Sequence, residues 1–381
     1  MKIVIIGTGL AGYTLVREIR KVDQEIEILM ITKDNGSLYS KPMLSNALSK
    51  NKDAEQLIQS SAKQMEDKYQ IQILTHTKVL HIDSDNNLIH LDNKKISYDS
   101  LVLAIGANPF RPKLEGSGAD NVLSINNLRD YQTYREGLDH ASSVAIIGPG
   151  LIGCEFANDL ISQDKEIHVI GPDPYAMSNL LTKEAGEHLQ NTLSKYKVNW
   201  HLSVFPIGVE KLKNQFKVNL DNGESVISDL VVSAVGLRAN LNILKDSNIL
   251  FDKAITCNQY LQTNISNVYA LGDCAEVAGH YLPFVAPIIA GAKALSKTLT
   301  GTKTKVQYKA NSVTVKTDVC PLVVAKPSVP HSTTSIEKDD SGIKVVYYDD
   351  KSKVLGYILM GVYTKEKLVL NKTLPDLMLN A

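Results

Sequence analysis

The chain has 381 residues, more than one hydrophobic core usually supports, so we expect two or three domains. Hydrophobic residues make up 44% and charged residues 22%, which are the proportions of a globular protein. The formal net charge is zero, and this argues against binding to nucleic acid or to a membrane surface through overall charge.

The first predicted element is a strand at residues 3–6, where apolar residues follow one another without alternation. Such a run indicates a parallel strand that is covered on both faces. Gly7, Gly9 and Gly12 come next in the pattern G-x-G-x-x-G, before a helix-like run and a second strand at residues 25–32. In this pattern the three glycines permit the tight turn, the approach of a pyrophosphate and close helix packing, respectively. We therefore predict a dinucleotide site at the helix N-terminus, where unpaired N–H groups favour anions.

In such a motif an acidic residue at the end of the second strand usually binds a ribose hydroxyl, but no acidic residue stands at that position after the first glycine turn. Thr32 and Lys33 occupy its place, and Asp34 follows them. Asp34 is the candidate for this contact.

The pattern occurs again at Gly148, Gly150 and Gly153, between a predicted strand at 143–148 and a predicted helix at 151–162. A further strand is predicted at 166–171. A single G-x-G-x-x-G is about as often a coincidental turn as a binding site, but two copies in this context favour two dinucleotide sites. No Arg or Lys lies between Gly171 and Leu181 to bind a 2′-phosphate, which favours NADH over NADPH.

Each glycine turn is followed, further along the chain, by an apolar strand that ends in A-x-G. These strands are predicted at 98–109 and 228–240, with Ala104 and Gly106 in the first and Gly236 in the second. Residues 263–277 then read TNISNVYALGDCAEV, so that a short strand ends in Gly272 and Asp273. Polar residues at the carboxyl ends of such strands are placed to contact ligands.

Taken in order, these motifs resemble the flavoproteins that have two dinucleotide-binding domains, and the resemblance covers roughly residues 1–300. It implies an α/β fold in which an NAD(H)-binding Rossmann-like domain (110–239) is inserted into an FAD-binding one (1–109 and 240–305). A small α+β C-terminal domain (306–381) follows. The resemblance assigns the first turn to FAD, the second turn to NADH and Asp273 to the FAD ribityl–phosphate region, although Gly-Asp is also common as a turn cap.

The four cysteines form no C-x-x-C pair, so the sequence offers no candidate for a redox disulfide that would carry electrons. Relatives in this family often use a redox disulfide, so here we expect electrons to leave the flavin directly for an external acceptor. Cys154 and Cys274 are interpreted as small buried residues. Widely spaced thiols favour the cytoplasm. No run reaches the roughly 18 apolar residues of a membrane helix, and no metal site is predicted.

The resemblance also identifies side chains near the flavin. Lys41 and Pro42 begin a segment that is similar to the R-P-x-L-S element of ferredoxin- and rubredoxin-type reductases, and a cation there would stabilise reduced flavin. Glu155 is expected to face the nicotinamide and to pair with such a lysine. The alternatives are a solvated lysine and a surface glutamate placed by the helix dipole. Lys316 is a further candidate beside the flavin.

The remaining elements are a helix from about residue 288, just after Pro287, and a C-terminal mixture of strands and one helix. The positive end of the first helix would favour an anionic flavin. In the tail, strands are predicted at 312–317, 320–325, 344–349 and 353–361, with a hairpin loop at 349–353 and a helix at 364–379.

Several segments together resemble the rubredoxin reductase branch of the family, namely YSKPMLS, IGCEFANDL, YALGDCAEV and VKTDVCPLVV. This resemblance implies an FAD-dependent reductase that takes a hydride from NADH and passes single electrons to rubredoxin, a small acidic iron protein. A ferredoxin or a flavorubredoxin stays open as the acceptor, and so does a non-catalytic redox-switch protein. Whether the chain is a monomer or a homodimer is left open.

Overall fold

The structure, a computed structural model, describes residues 1–310 and 312–377. Its α-helices are α1 (Leu10–Arg20), α2 (Ala62–Tyr69), α3 (Leu128–Leu138), α4 (Leu151–Ile161), α5 (Lys183–Ser194), α6 (Val285–Leu299) and α7 (Lys367–Asn371). Short 3-10 helices span Lys41–Asn46, Ala119–Asn121, Asn242–Leu244 and Gly361–Glu366.

The strands are numbered in chain order. They are β1 (Lys2–Ile6), β2 (Glu27–Ile31), β3 (Leu38–Tyr39), β4 (Ile58–Ser60), β5 (Gln72–Leu74), β6 (His81–Asp83), β7 (Leu88–His90), β8 (Lys95–Ser97), β9 (Ser100–Leu103), β10 (Ala107–Pro109), β11 (Ser143–Ile147), β12 (Glu166–Gly171), β13 (Val198–Leu202), β14 (Pro206–Lys211), β15 (Phe216–Leu220), β16 (Ser225–Ser228), β17 (Leu230–Ser233), β18 (Leu237–Ala239), β19 (Ile255–Cys257), β20 (Val268–Ala270), β21 (Ala275–Val277), β22 (His280–Tyr281), β23 (Val313–Val315), β24 (Leu322–Ala325), β25 (Thr333–Asp339), β26 (Gly342–Tyr348) and β27 (Val354–Met360).

The described chain divides into two compact units. Unit 1 consists of Met1–Lys41, Gln56–Asn108 and Leu237–Tyr308. Unit 2 consists of Pro42–Glu55, Pro109–Gly236 and the described part of Lys309–Ala381. The division into three domains, with the boundaries expected from the sequence, stays a prediction.

Unit 1 is built on a sheet with the strand order β20-β9-β1-β2-β5, in which every neighbouring pair is parallel. β1 is buried from Ile3 onward, as its unbroken apolar run predicts for a strand covered on both faces. Helices α1 and α6 pack against each other. Because the strands are parallel, their carboxyl ends lie along one edge of the sheet, and the motif residues of unit 1 follow those ends.

Unit 2 contains a second parallel sheet, with the order β13-β12-β11-β17. The antiparallel strands β14, β15 and β16 form a separate sheet whose apolar side chains share a core with β11 and β12. The C-terminal part forms an antiparallel sheet in the order β23-β24-β27-β26-β25.

The main differences from the predicted elements occur at glycines, prolines and polar strands. The strand predicted at 98–109 is divided into β9 and β10, and the strand predicted at 228–240 begins with the last residue of β16 and is then divided into β17 and β18. Gly106 (φ +64°) and Gly236 (φ +108°) lie in the interruptions before β10 and β18, because a strand cannot continue through such backbone angles. Helix α6 begins three residues before the predicted start at 288. Pro287 lies in its first turn, where the missing N–H removes no helical hydrogen bond.

In the tail the predicted strands and the hairpin loop are confirmed by β23, β24, β26 and β27, and the Asp349 N–H donates to the Lys353 carbonyl at 3.0 Å. The long helix predicted at 364–379 is wrong. A 3-10 turn precedes α7, which ends at Asn371, shortly before Pro375 disfavours further helix; residues 378 and 379 lie outside the described residues. The prediction also missed β25, a mostly exposed edge strand without apolar alternation.

Among the residues that the structure describes, no helix has the length and apolar character that a membrane crossing requires.

Candidate active site

The first glycine turn of unit 1 connects β1 to α1 with the geometry expected for a pyrophosphate cradle. Gly7 has φ +115°, and a Cβ there would collide with the Ala104 carbonyl, so only glycine fits. A Cβ at Gly12 would collide with the Gly7 carbonyl, which shows how closely α1 approaches the turn. A Cβ at Gly9, in contrast, would meet nothing within 4 Å. The space in front of Gly9 is therefore open to a ligand.

Neighbouring strands of unit 1 bring other predicted residues to the same edge of the sheet. Ala104 and Gly106 follow β9, the neighbour of β1, and the Ala104 N–H donates to the Ile6 carbonyl at 2.9 Å. Gly272 follows β20, the next strand, and an added Cβ at Gly272 would lie 2.9 Å from the Ala11 Cβ of α1. The structure thus brings together the three motifs that are most distant in the sequence of this unit.

Asp34 follows β2 on the other side of β1. It is exposed, and its Oδ1 accepts hydrogen bonds from the Thr32 hydroxyl (2.8 Å) and the Gly36 N–H (2.9 Å). These bonds shape the turn after β2. The role of Asp34 in ribose binding stays a prediction.

Asp273 and Lys41, both predicted site residues of unit 1, act on each other electrostatically. Burial raises the pKa of the Asp273 carboxyl, and the positive charge of Lys41 lowers it in part. Lys41 is half-buried at the start of its 3-10 helix, rather than fully solvated. The first turn of α6 is also near, since Pro287 and Ile288 line the same small cavity as Gly272. The end of a helix that favours anions therefore lies close to this edge.

The second glycine turn, in unit 2, repeats the geometry of the first. Gly148 has φ +113° and Gly150 has φ −77° and ψ −172°, against +115° for Gly7 and −73° and −172° for Gly9. A Cβ at Gly153 would collide with the Gly148 carbonyl, and a Cβ at Gly150 would meet nothing within 4 Å. Both turns therefore fit a pyrophosphate by the same test.

The strands beside the second turn also place their predicted residues at its edge. The Gly148 N–H donates to Ile170 at the end of β12 (2.8 Å), and the Ala234 N–H after β17 donates to Ile147 (2.7 Å). Gly236 lies in open space, because an added Cβ would meet nothing within 4 Å.

Glu155, in the second turn of α4, is the most enclosed of the predicted site residues that carry a charge. It is 1% exposed, so the alternative of a surface glutamate is wrong. Its Oε2 accepts from the Ser45 hydroxyl (2.6 Å) and pairs with the Lys316 ammonium (2.5 Å), while its Oε1 accepts from the Lys316 backbone N–H (3.0 Å). We call these three residues the Glu155 cluster. The pairing with Lys41 that the resemblance implied stays a prediction.

Two further residues of α4 extend this polar contact, and the sequence analysis missed both. The Asp159 carboxylate, 0% exposed, accepts from the backbone N–H groups of Leu48 (3.0 Å) and Ser49 (2.8 Å). Asn158 Oδ1 accepts from the Val319 N–H at 3.2 Å. The signal was the spacing of three polar residues at i, i+3 and i+4 in an otherwise apolar helix, which places them on one face.

All four cysteines lie within the described residues, and all are buried with free thiols. Burial raises the pKa of each thiol, to about 11 for Cys274 and Cys320 and about 12 for Cys257, with Cys154 raised as well. Thiols of this kind are poor nucleophiles. Within residues 1–310 and 312–377, no group of three or more His, Cys, Asp or Glu side chains is arranged to hold a metal ion.

Residues 1–316 match the family model described as pyridine nucleotide-disulphide oxidoreductase. The chain belongs to this family. A second model, described as the rubredoxin binding C-terminal domain, matches residues 305–374. Membership confirms the family resemblance, the predicted fold class and the assignment as an oxidoreductase. The chain departs from the family name in one respect, because its cysteines form no disulphide.

Relatives within the family match the chain over nearly its full length. A rubredoxin-NAD(+) reductase of Alcanivorax borkumensis is 38% identical over 99% of both chains. A protein of the same name from Acinetobacter baylyi is 39% identical over 98% of both. A nitric oxide reductase FlRd-NAD(+) reductase of Klebsiella pneumoniae is 34% identical, also over 98% of both.

Among solved structures, the reductase of a covalent putidaredoxin reductase–putidaredoxin complex is similar to this chain with a TM-score of 0.88. The match covers 98% of this chain and 94% of that one, at 22% identity. This similarity supports the fold described above for this chain.

Proposed function

We propose that this chain is an FAD-dependent NADH:rubredoxin reductase. The observation that carries the proposal is the combination, in one chain, of two open glycine turns with a C-terminal segment that matches the rubredoxin-binding model. Full-length relatives named rubredoxin-NAD(+) reductase support the same assignment. FAD, when bound, accepts a hydride from NADH and passes single electrons to the iron protein.

The first turn is assigned to FAD, with the pyrophosphate on the α1 N-terminus in front of Gly9. The remaining residues that would hold FAD are those of unit 1 gathered at the carboxyl edge of its sheet, together with the segment that starts at Lys41. They are Gly7, Gly12, Asp34, Lys41, Pro42, Ala104, Gly106, Gly272, Asp273 and Pro287. Lys41 supplies a positive charge beside Asp273.

The second turn is assigned to NADH, with the pyrophosphate on the α4 N-terminus in front of Gly150 and with Gly148, Gly153 and Gly236 around it. NADH is preferred to NADPH because residues 172–180 contain no Arg or Lys. Asp173 lies just beyond β12, where its charge would repel a 2′-phosphate.

Glu155 and Lys316 are proposed to orient the nicotinamide beside the flavin. Two donors of Lys316 and the hydroxyl of Ser45 hold both carboxylate oxygens of Glu155, so that the side chain has one position. A charged group fixed in this way by its neighbours contributes to catalysis without further reorganisation. No acid–base dyad is needed for hydride transfer, and the cluster acts by position and charge.

The cell compartment that fits the chain is the cytoplasm. The free thiols agree with a reducing environment.

A second candidate is the same chemistry with a flavorubredoxin as acceptor, and the match to nitric oxide reductase FlRd-NAD(+) reductases favours it. The two are separated by steady-state oxidation of NADH with purified rubredoxin, flavorubredoxin or ferredoxin as the sole carrier. We expect the highest kcat/KM with rubredoxin. Turnover with ferredoxin or flavorubredoxin but none with rubredoxin would overturn the proposal, and a protein whose flavin is not reduced by NADH would be a non-catalytic switch.

A further inference from the structure

We propose that one helical face of unit 2, formed by Val362, Lys365, Leu368, Val369 and Lys372, is the surface on which the acidic iron protein docks. We call this face the Leu368 patch. The inference rests on the proposed function and names the docking site within the segment that matches the rubredoxin-binding model.

The patch is exposed although it contains large apolar side chains. Leu368 is 73% exposed, Val369 67% and Val362 47%. Residues 361–371 are helical, so spacings of three and four residues place the patch on one side. The opposite side is anchored, since Tyr363 and Leu370 pack on the core of the C-terminal sheet and the Tyr357 hydroxyl donates to Asn371 at 2.6 Å. The patch is therefore carried by a segment that is anchored to the sheet.

Charge indicates which partner this surface fits. Residues 305–374 contain eleven lysines, no arginine and seven carboxylates, although the chain as a whole has zero net charge. Lys365 and Lys372 are exposed within the patch. The adjacent Glu366 pairs with Lys344 at 2.9 Å, and Lys344 also contacts Glu337 at 3.5 Å. Apolar groups flanked by exposed lysines suit a small acidic protein.

The position of the patch agrees with electron transfer. The Lys367 ammonium donates to the Thr314 hydroxyl of β23 at 2.7 Å, which ties α7 to this strand. Lys316, of the Glu155 cluster, lies two residues further along the chain, a distance of about 7 Å. A protein seated on the patch is thus close to the group proposed to lie beside the flavin.

A second copy of this chain is the other possible occupant of an apolar surface, and the charges argue against it. In a symmetric pair the lysines of one patch would face the same lysines of the other copy, and like charges in contact oppose association. The apolar centre of the patch would suit either occupant, so the test below includes the oligomeric state.

The test compares Lys365→Glu/Lys372→Glu with a control that changes charge equally, Lys351→Glu/Lys353→Glu. The control lysines are exposed on the β26–β27 hairpin, where Asp349 and Asp350 already offset them. NADH oxidation is measured with rubredoxin and, separately, with ferricyanide, which needs no docking surface. We expect the patch variant to raise the KM for rubredoxin about tenfold or more and to weaken its salt dependence, with ferricyanide turnover unchanged.

A third variant, Leu368→Asp, tests the apolar centre, and we expect it to raise the same KM at least about fivefold. Equal effects of patch and control variants, or no effect of the patch variants, would overturn the inference. So would a change in sedimentation of Leu368→Asp with an unchanged KM for rubredoxin, because the face would then join two copies. Failure of the unaltered protein to reduce rubredoxin would instead overturn the proposed function.

Discussion

Glu155 is a buried carboxylate whose position depends on two other parts of unit 2. Ser45 comes from the segment after Lys41, and Lys316 comes from the end of β23. The sequence indicated Glu155 and Lys316 separately, each by resemblance, but their contact could not be predicted because 161 residues separate them. Ser45 was recognised only as part of a motif, because the sequence does not indicate which distant acceptor a serine hydroxyl will bind.

We predict that Glu155→Gln slows the reduction of bound flavin by NADH about tenfold or more and leaves the FAD content unchanged. The amide keeps the volume of the side chain but removes its charge, so Lys316 loses its ionic partner. Ser45→Ala removes a single hydrogen bond and should have a smaller effect in the same direction. The measurement is anaerobic stopped-flow absorbance.

The matched control is Glu187→Gln, a half-exposed residue of α5 that pairs with Lys183 on its own helix. Its flavin reduction should equal that of the unaltered protein. Equal rates for Glu155→Gln and the control would contradict the role of Glu155 in hydride transfer.

At the scale of an element, α4 has two tasks. Its N-terminus ends the second glycine turn, and its polar face at 155, 158 and 159 fixes two loops of unit 2 through side-chain bonds to backbone N–H groups. The apolar runs of β11 and α4 made the element itself predictable. Its polar face had no predictable partner, because the loops that it holds have no periodic pattern of their own.

We predict that Asp159→Asn destabilises the protein by about 1–3 kcal/mol, because one of the two amides of Leu48 and Ser49 loses its acceptor in a buried site. Chemical denaturation followed by circular dichroism measures this change. The control Asp67→Asn alters an exposed pair on α2 and should change stability little. A midpoint for Asp159→Asn equal to that of the control would contradict the prediction.

Comparing Asp159→Asn with the unaltered protein also tests how the free energy of unfolding depends on pH. Burial is the largest influence on Asp159 and raises its pKa in the folded state, although the bonds from Ser49 and Leu48 lower it in part. The folded protein therefore holds this proton at a pH where the unfolded chain has released it. The contribution of Asp159 to stability should fall as the pH rises from the unfolded pKa, about 4, through the folded pKa. Asp159→Asn should remove this part of the dependence, and curves that stay parallel from pH 4 to 7 would contradict it.

At the scale of the whole molecule, the chain contains the same turn twice, and we propose different tasks for the two copies. The turns and their strands were predictable because glycine spacing and apolar runs are local signals. The two-unit partition was not predictable, since Pro42–Glu55 belongs to unit 2 although its flanking residues belong to unit 1. Long-range hydrogen bonds, such as those that Leu48 and Ser49 donate to Asp159, hold this segment in unit 2.

The pair Gly9→Ala and Gly150→Ala tests this division of tasks. Both glycines have φ near −75°, which alanine adopts without strain, and both face open space, so each added methyl meets only the ligand. We predict that Gly9→Ala lowers the FAD content of the purified protein at least about fivefold. Gly150→Ala should keep FAD and raise the KM for NADH about tenfold. The opposite pattern would reverse the assignment of the two turns.

The central claim is that one protein passes electrons from NADH through FAD to rubredoxin, and an anaerobic titration tests it most directly. One equivalent of NADH is added to the yellow protein, and oxidised rubredoxin follows while flavin absorbance is recorded. We predict that NADH bleaches the flavin rapidly, that NADPH does so far more slowly, and that two equivalents of rubredoxin restore the yellow colour. A flavin that NADH does not bleach, or that stays bleached after rubredoxin is added, would contradict the account.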